Sequence, residues 1–321
     1  MSIVNRHVVA QRLGKMERTE HTLDIDASQI VAEKDSAKFT YKGEQGYMPM
    51  VGHLAEAGVV LHEEFREGNA APASANLEFI KKCESAMPRA HRIKRLRADS
   101  ATYQADIFNY CEQQDIAFAI GGRWSEPVNA LVQGIPESQW KKYADCAVAE
   151  VTHSMNETRK SFRLVVVRRQ HQCDLFDDEG KPQEAKLQTK YTLIASNFAQ
   201  GYSADDVYVW YCQREQSSEN GIKELKVGFG MERMPCGQFA ANAVFFRIGA
   251  IAHNVFVLFK LITLDESWQR HQVQTVRWRL LHLAGKVIKS AGSWILKVNQ
   301  TALDILERIR QRTRAFAHAP S

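Results

Sequence analysis

The feature that most limits how this chain can fold is a change of apolar period between residues 93 and 121. Ile93 to Asp99 reads as a strand, Tyr103 to Gln114 as a helix, and Ile116 to Gly121 as a short buried strand. Ahead of them, Thr22-Leu23-Asp24-Ile25-Asp26 alternates apolar and acidic residues, the pattern of a strand whose polar face opens on a site. Ala37–Tyr41 and Tyr47–Phe65, the latter interrupted at Glu56-Ala57-Gly58, read as antiparallel strands joined by a tight turn. Pro72 and Ser74 introduce a helix that runs to Met87. Hairpins followed by strand, helix and strand indicate a mixed α/β sheet.

The middle of the chain changes character. Cys146–Thr152, Ser161–Arg169 and Tyr191–Ser196 are β-rich pieces divided by polar loops such as Asp177-Asp178-Glu179-Gly180, the pattern of an inserted β subdomain. From Ser203 to Phe229 the period becomes helical. Near the end, Val287–Val298 holds Gly292 between two alternating runs, a hairpin signal, and Thr301–Phe316 reads as a basic amphipathic helix. Residues 1–20 are polar and read as helical. The expected divisions are 1–122, the β-rich 123–200, 201–264 and a basic segment, 265–321.

Composition narrows the function classes. With 321 residues and 45% apolar content the chain can bury a substantial core, and a charged fraction of 25% argues against general disorder. The net charge of +5 permits a nucleic-acid partner without requiring one. Its placement says more: from Asp265 onward, Lys and Arg outnumber Asp and Glu, and basic tails of this kind meet phosphates or simply stay solvated. The six cysteines form no CxxC pair, which argues against a zinc knuckle and fits buried thiols in a reducing cytoplasm. Met1 to Lys15 has no apolar core of a signal peptide. Phe239 to Leu264 is long and apolar enough to consider as a membrane span. Asn242, Arg247, His253, Asn254 and Lys260 are costly at bilayer depth, so a buried core helix and no membrane partner are expected.

Three acidic residues stand out by position. Asp26 and Asp99 end expected strands, and Glu219 lies in a helical segment far downstream. Three such carboxylates can converge on a pair of Mg²⁺ ions, whose preference is for hard oxygen ligands. Two metals can activate an attacking oxygen and stabilise a leaving one at phosphorus. Spacing alone also allows the bland alternative, strand-end aspartates that cap turns.

The local wording goes further. Leu-Asp-Ile-Asp-Ala-Ser (23–28), Glu-Phe-Arg-Glu-Gly-Asn (64–69), Arg-Ala-Asp-Ser (97–100) and Tyr-Cys-Gln-Arg-Glu-Gln-Ser-Ser-Glu-Asn-Gly-Ile-Lys-Glu-Leu-Lys (211–226) occur in order, followed by Gly228-Phe229-Gly230-Met231-Glu232-Arg233-Met234-Pro235. Together they resemble bacterial insertion-sequence DDE transposases, in the group marked by a Tyr-Arg-Glu-Lys signature. The resemblance covers most of residues 20–260.

It implies a ribonuclease-H-like fold with a β insertion between the second and third carboxylates. It implies Asp26, Asp99 and Glu219 as catalytic metal ligands for two Mg²⁺ ions, with Mn²⁺ able to substitute. Asp26-Ala27-Ser28 fits the group better than Asp24-Ile25-Asp26, which leaves Asp24 as runner-up; Asp106 lies too deep in the next helix, and Glu215 lacks the downstream context. Tyr211, Arg214 and Lys226 take the remaining signature places as DNA-binding residues. Four residues separate Arg214 from Glu219 where the common pattern has three. Trp124 is either a base-stacking contact to DNA or a core residue. Arg168-Arg169 is a basic pair that touches DNA or is solvated. His53, His153 and His171 show no ligand spacing.

The function implied is metal-dependent DNA strand cleavage and transfer at insertion-sequence ends, through a hairpin intermediate. The partners would be terminal inverted repeats and target DNA, with a homodimer in the DNA complex, in the cytoplasm at the nucleoid. Only 25 residues precede Asp26, where the group carries a longer end-recognising part, so an N-terminally short copy is expected. The rival readings are an inactive DNA-binding remnant and a stand-alone metal-dependent nuclease.

Overall fold

The computed structural model describes residues 3–172, 187–215 and 219–318. Helix α1 (Ile3–Leu13) leads into strand β1 (Glu20–Ala27), and the short strands β2 (Ile30–Val31), β3 (Lys38–Phe39) and β4 (Gln45–Tyr47) form a small sheet of their own. Next comes the hairpin of β5 (Met50–Leu54) and β6 (Val59–Glu64), which turns through Gly58 at φ 69°. That angle is open to glycine without steric cost. Then follow α2 (Asn76–Ala86), β7 (Arg92–Ala98), α3 (Ala105–Gln113) and β8 (Ala117–Gly121). These five long strands lie in the order β6-β5-β1-β7-β8; β1, β7 and β8 run parallel, while β5 and β6 run antiparallel to their neighbours. The expected mixed α/β sheet is present.

The β-rich block is also present, and it is joined to the central sheet. After α4 (Glu126–Gln133) come β9 (Lys141–Tyr143), β10 (Cys146–His153), β11 (Phe162–Gln172) and β12 (Leu187–Ser196). β12 pairs antiparallel with β8 through Ile194, Ala195 and Ser196, so the sheet continues β8-β12-β11-β10-β9 to nine strands. Asp177-Asp178-Glu179-Gly180 and Cys173 fall outside the described residues.

Helices cover both faces. Phe79, Ile80, Ile107, Phe108, Val128 and Val132 from α2, α3 and α4 pack with Leu23, Ile25, Leu96 and Phe118 on one face. The other face is covered by α5 (Ala204–Arg214), by α6 (Asn220–Lys223), which widens into π-type turns over Glu224–Gly228, and by α7 (Phe239–Thr263). The chain ends with α8 (Val273–Leu281), a hairpin of β13 (Gly285–Ser290) and β14 (Ser293–Val298), and α9 (Gln300–Ala317).

The apolar run expected as a core helix is α7, which by length and composition alone could also cross a membrane. Its buried side carries polar groups that find partners. Asn254 donates to the Val60 carbonyl and accepts from the Val60 N–H, and Asn242 donates to Tyr47 Oη and the Cys236 carbonyl. Lys260 donates to the carbonyls of Gln269 and His271. Satisfied buried polar groups of this kind fix how a helix seats on its sheet.

Candidate active site

Register builds the site. Asp24 pairs with Arg97 across β1 and β7, and Arg97 with Ala119 across β7 and β8. Side chains two residues apart on a strand share a face. The next rung toward the strand ends is therefore Asp26, Asp99 and Gly121, on the face that α5 and α6 cover.

The two rungs do different work. Asp24 and Arg97 are buried and form a bidentate ion pair at 2.7 and 2.9 Å; Arg97 also donates to the Trp210 carbonyl and stacks 4.9 Å from the Trp210 ring centroid. Both Asp24 oxygens are thus engaged by a guanidinium. This removes Asp24 as an alternative to Asp26, for a reason that lies in the parallel register. Asp106 spends one oxygen on the N–H of Ile107.

On the upper rung Asp26 is largely buried, and Arg214, at the end of α5, stands 3.5 Å from its Oδ1. The same guanidinium lies 3.5 Å from Oε1 of Glu219, which is half exposed at the start of α6. Burial pushes the Asp26 carboxyl up to about 6; Arg214 pulls it down, and the nearby charges of Asp99 and Glu219 push it up again. Asp26 and Glu219 thus share one cation, and the charge of Asp99 is felt by both Asp26 and Arg214. Burial opposes the charge on Arg214, but Tyr211, Asp26, Asp99 and Glu219 outweigh it and hold the guanidinium more firmly protonated than usual.

Asp99 has a second task. Its Oδ1 accepts from the N–H of Ala101 at 3.0 Å and caps the 3-10 turn Ser100–Thr102, so the turn-capping reading of this residue is true alongside its place in the cluster. The absence of a side chain at Gly121 makes room for this arrangement. A Cβ there would lie 2.9 Å from the Ser100 nitrogen and 3.0 Å from Tyr211 Oη. Burial raises the Tyr211 hydroxyl, with Arg214 opposing and Asp99 adding to the rise.

Glu215 and Glu219 both fall in π-type turns. Beyond Glu219, Gly221 rests against His53 of β5, where a Cβ would be 3.1 Å from Nε2. Lys226 reaches back to the loop after β1, donating to the Gln29 carbonyl at 2.8 Å and to Ser28 Oγ at 3.4 Å. Burial lowers its ammonium, while Glu232 and Asp26 work to raise it.

Trp124 is 49% exposed and meets Tyr191 edge-on, which overturns the core alternative for this residue: it follows Gly122 and Arg123 out of the sheet. Arg123 donates to the Ser100 carbonyl at 2.7 Å, tying the Trp124 segment to the turn after Asp99, a contact that no residue spacing signals. Arg168 pairs with Glu137 at 2.6 and 2.9 Å, and Arg169 lies 3.5 Å from Asp145, so both are engaged. His53 is buried in the core and His153 packs edge-on against Phe162. The side chain of His171 is outside the described ones.

Whether this site suits divalent ions turns on its donors. Carboxylate oxygens are hard ligands, and both burial, which raises Asp26 most, and the added repulsion of Asp99 and Glu219 favour a cation beside it. Among the described residues no three His, Cys, Asp or Glu side chains stand close enough to hold an ion as arranged, and Arg214 stands 3.5 Å from both Asp26 and Glu219. The carboxylate donors are chemically suited to divalent ions, and Arg214 supplies the positive charge between Asp26 and Glu219 in this arrangement.

A family model described as transposase DDE domain, group 1, matches residues 3–313. No curated protein matches the chain. Among solved structures, the cryo-EM structure of the piggyBac transposase synaptic complex with hairpin DNA is similar at a TM-score of 0.45 and 11% identity, over 94% of this chain. The match takes in 55% of that protein, so the chain spans about half its length.

Proposed function

The chain belongs to the transposase DDE domain family, group 1, and on that premise we propose that it cleaves and rejoins DNA strands at the ends of a mobile element, with Asp26, Asp99 and Glu219 as its catalytic carboxylates. The observation that carries this reading is Arg214 standing 3.5 Å from both Asp26 and Glu219, with Asp99 at the end of the strand next to Asp26. The order β6-β5-β1-β7-β8, with three parallel strands and an antiparallel hairpin, supports a ribonuclease-H-like core.

Asp26, Asp99 and Glu219 would hold two divalent ions, Mg²⁺ with Mn²⁺ as substitute. Such ions stabilise charge on the phosphate and make water a stronger nucleophile. The protein's own part is positioning and charge. Arg214, displaced from the carboxylates, is within reach of a phosphate oxygen, and Lys226 holds the loop after β1 while presenting an ammonium beside Asp26. Tyr211, seated over Gly121 and Asp99, orients the scissile strand. Exposed Trp124 offers a face for a flipped base.

The finer reading is a bacterial insertion-sequence enzyme of the Tyr-Arg-Glu-Lys group, acting as a homodimer on terminal inverted repeats and target DNA, through a hairpin, in the cytoplasm at the nucleoid. The motif order within 23–235 supports it. Its domains would be the core at 1–122 and 201–264, the β insertion at 123–200 and a basic segment at 265–321.

The test is cleavage of duplexes carrying the ends of the encoding element, with Mg²⁺ or Mn²⁺, by the native chain and by Asp26→Asn, Asp99→Asn and Glu219→Gln. Loss of cutting in all three with DNA binding kept supports the reading. Equal cutting by all four proteins ends it.

A further inference from the structure

The hairpin β13–β14 stands apart from the rest of the fold. It forms a two-stranded sheet of its own, and Val287, Trp294, Ile295 and Leu296 are all exposed, Trp294 by 73%. An isolated two-stranded hairpin is marginal in water, and apolar groups left bare on both faces mark a surface that meets something. Its turn is nevertheless well specified, because Ala291 and Gly292 both take positive φ, 48° and 78°, the tight form that matches the twist of paired strands.

Charge identifies the partner. No acidic residue occurs from Ser267 to Leu303, a stretch that holds Arg270, Arg277, Arg279, Lys286, Lys289 and Lys297. Two of these are occupied within the protein: Arg277 donates to the Gly228 carbonyl, and Arg279 is hydrogen-bonded to His271. The hairpin lysines are arranged otherwise. Lys286 and Lys297 sit directly opposite each other across the strands, a like-charge pair that destabilises a hairpin unless an anion lies between them. Lys289 is opposite Trp294, its ammonium 5.7 Å from the ring centroid.

We infer that this hairpin is a ribbon that enters the major groove of duplex DNA, with Trp294, Leu296 and Lys289 on the face turned to the base edges and Lys286 and Lys297, on the other face, reaching the phosphates that flank the groove. The inference rests on the DNA-acting reading above and adds a contact surface distinct from the carboxylate cluster. The major groove, about 12 Å wide, admits a two-stranded ribbon. Phosphates satisfy the cationic pair, and base edges cover apolar side chains that water now surrounds. A second copy of the same hairpin would bring lysine against lysine.

The experiment is a fluorescence-anisotropy titration of a labelled random-sequence duplex, about three helical turns long, over a range of salt. The full chain is compared with the triple variant Lys286→Gln/Lys289→Gln/Lys297→Gln and with Trp294→Ala. The triple variant is expected to melt as the native protein does, since all three side chains are exposed and only Lys289 meets a neighbour, the Trp294 ring. Its slope of log affinity against log salt should fall by up to about 2.7, and its affinity near physiological salt by about a hundred-fold. Trp294→Ala should weaken binding with the slope unchanged. If the native chain binds duplex and both variants match it in affinity and slope, the ribbon is refuted while the transposase reading stands. If the native chain binds no duplex, that reading fails and the ribbon with it. A native dimer dissolved by Trp294→Ala, with DNA affinity intact, overturns the ribbon in favour of self-association.

Discussion

Asp26 and Asp99 leave neighbouring parallel strands at the same level, each one step beyond the register pair Ile25 and Ala98. Because the strands run parallel, both carboxylates emerge at one edge of the sheet, and α5 and α6 close over it with Arg214 and Glu219. Electrostatic strain follows from that placement.

The strain predicts a pH dependence of stability. The Asp26 carboxyl sits at about 6 in the folded protein against an ordinary 3.8, so the folded state holds this proton more tightly than the unfolded chain does. The associated stability is fully present below about pH 4 and is lost as pH rises through about 6, a change of about 2–3 kcal/mol. Asp26→Asn cannot ionise. In urea unfolding with EDTA it should be more stable than the native protein at pH 7.5 and no more stable at pH 4. A variant destabilised at pH 7.5 contradicts the sign.

Asp24 should behave in the opposite way. Removing one partner of the buried Asp24–Arg97 pair leaves an uncompensated charge beside Trp210, at a cost of about 3–5 kcal/mol. Arg97→Met should therefore be strongly destabilised, and the double change Asp24→Leu/Arg97→Met should recover most of the loss. Chemical denaturation of the three proteins checks this, and additive losses in the double variant would rule it out.

Gly121 tests how closely the site is packed. In Gly121→Ala the new methyl group meets the Ser100 nitrogen and Tyr211 Oη at about 3 Å, so the turn that carries Asp99 must shift. Overpacking of this kind costs about 1–3 kcal/mol, and a misplacement near 1 Å can cost about a hundred-fold in rate. Cleavage should fall far more than the melting temperature; native-level cleavage would show that the position has slack.

Trp124 tests the exposed aromatic. Trp124→Ala should leave the fold intact, because half the residue is solvent-exposed, and should weaken binding of DNA with an unpaired terminal base by about 1–3 kcal/mol. Trp124→Phe should keep most of the affinity. Equal affinities for all three proteins would remove the stacking role.

Much of this was readable in the chain because period and turn chemistry are local. The strands ending at Asp26 and Asp99, the hairpin through Gly58, the long α7 and the Gly292 hairpin all follow from residue spacing. What spacing could not decide was tertiary. Asp24 and Asp26 share a strand face, so alternation gives them equal standing; the resemblance favours Asp26 by its Ala27-Ser28 neighbours, and the register that sets Arg97 beside Asp24 supplies a physical reason. Spacing favours a core place for Trp124, and the structure exposes it, because its exposure depends on how the chain leaves β8. The attachment of the β-rich block to the central sheet rests on three residue pairs between β12 and β8, which no local pattern reveals.

The claim on which the rest depends is that Asp26, Asp99 and Glu219 act as one cation-holding site. Mn²⁺ binding followed by electron paramagnetic resonance tests it without any DNA. The account predicts bound Mn²⁺ in the native chain and a loss of affinity in each of Asp26→Asn, Asp99→Asn and Glu219→Gln that exceeds the roughly 10–100-fold cost of losing an outer partner of a metal ligand. Native-like Mn²⁺ binding by the three variants would contradict it.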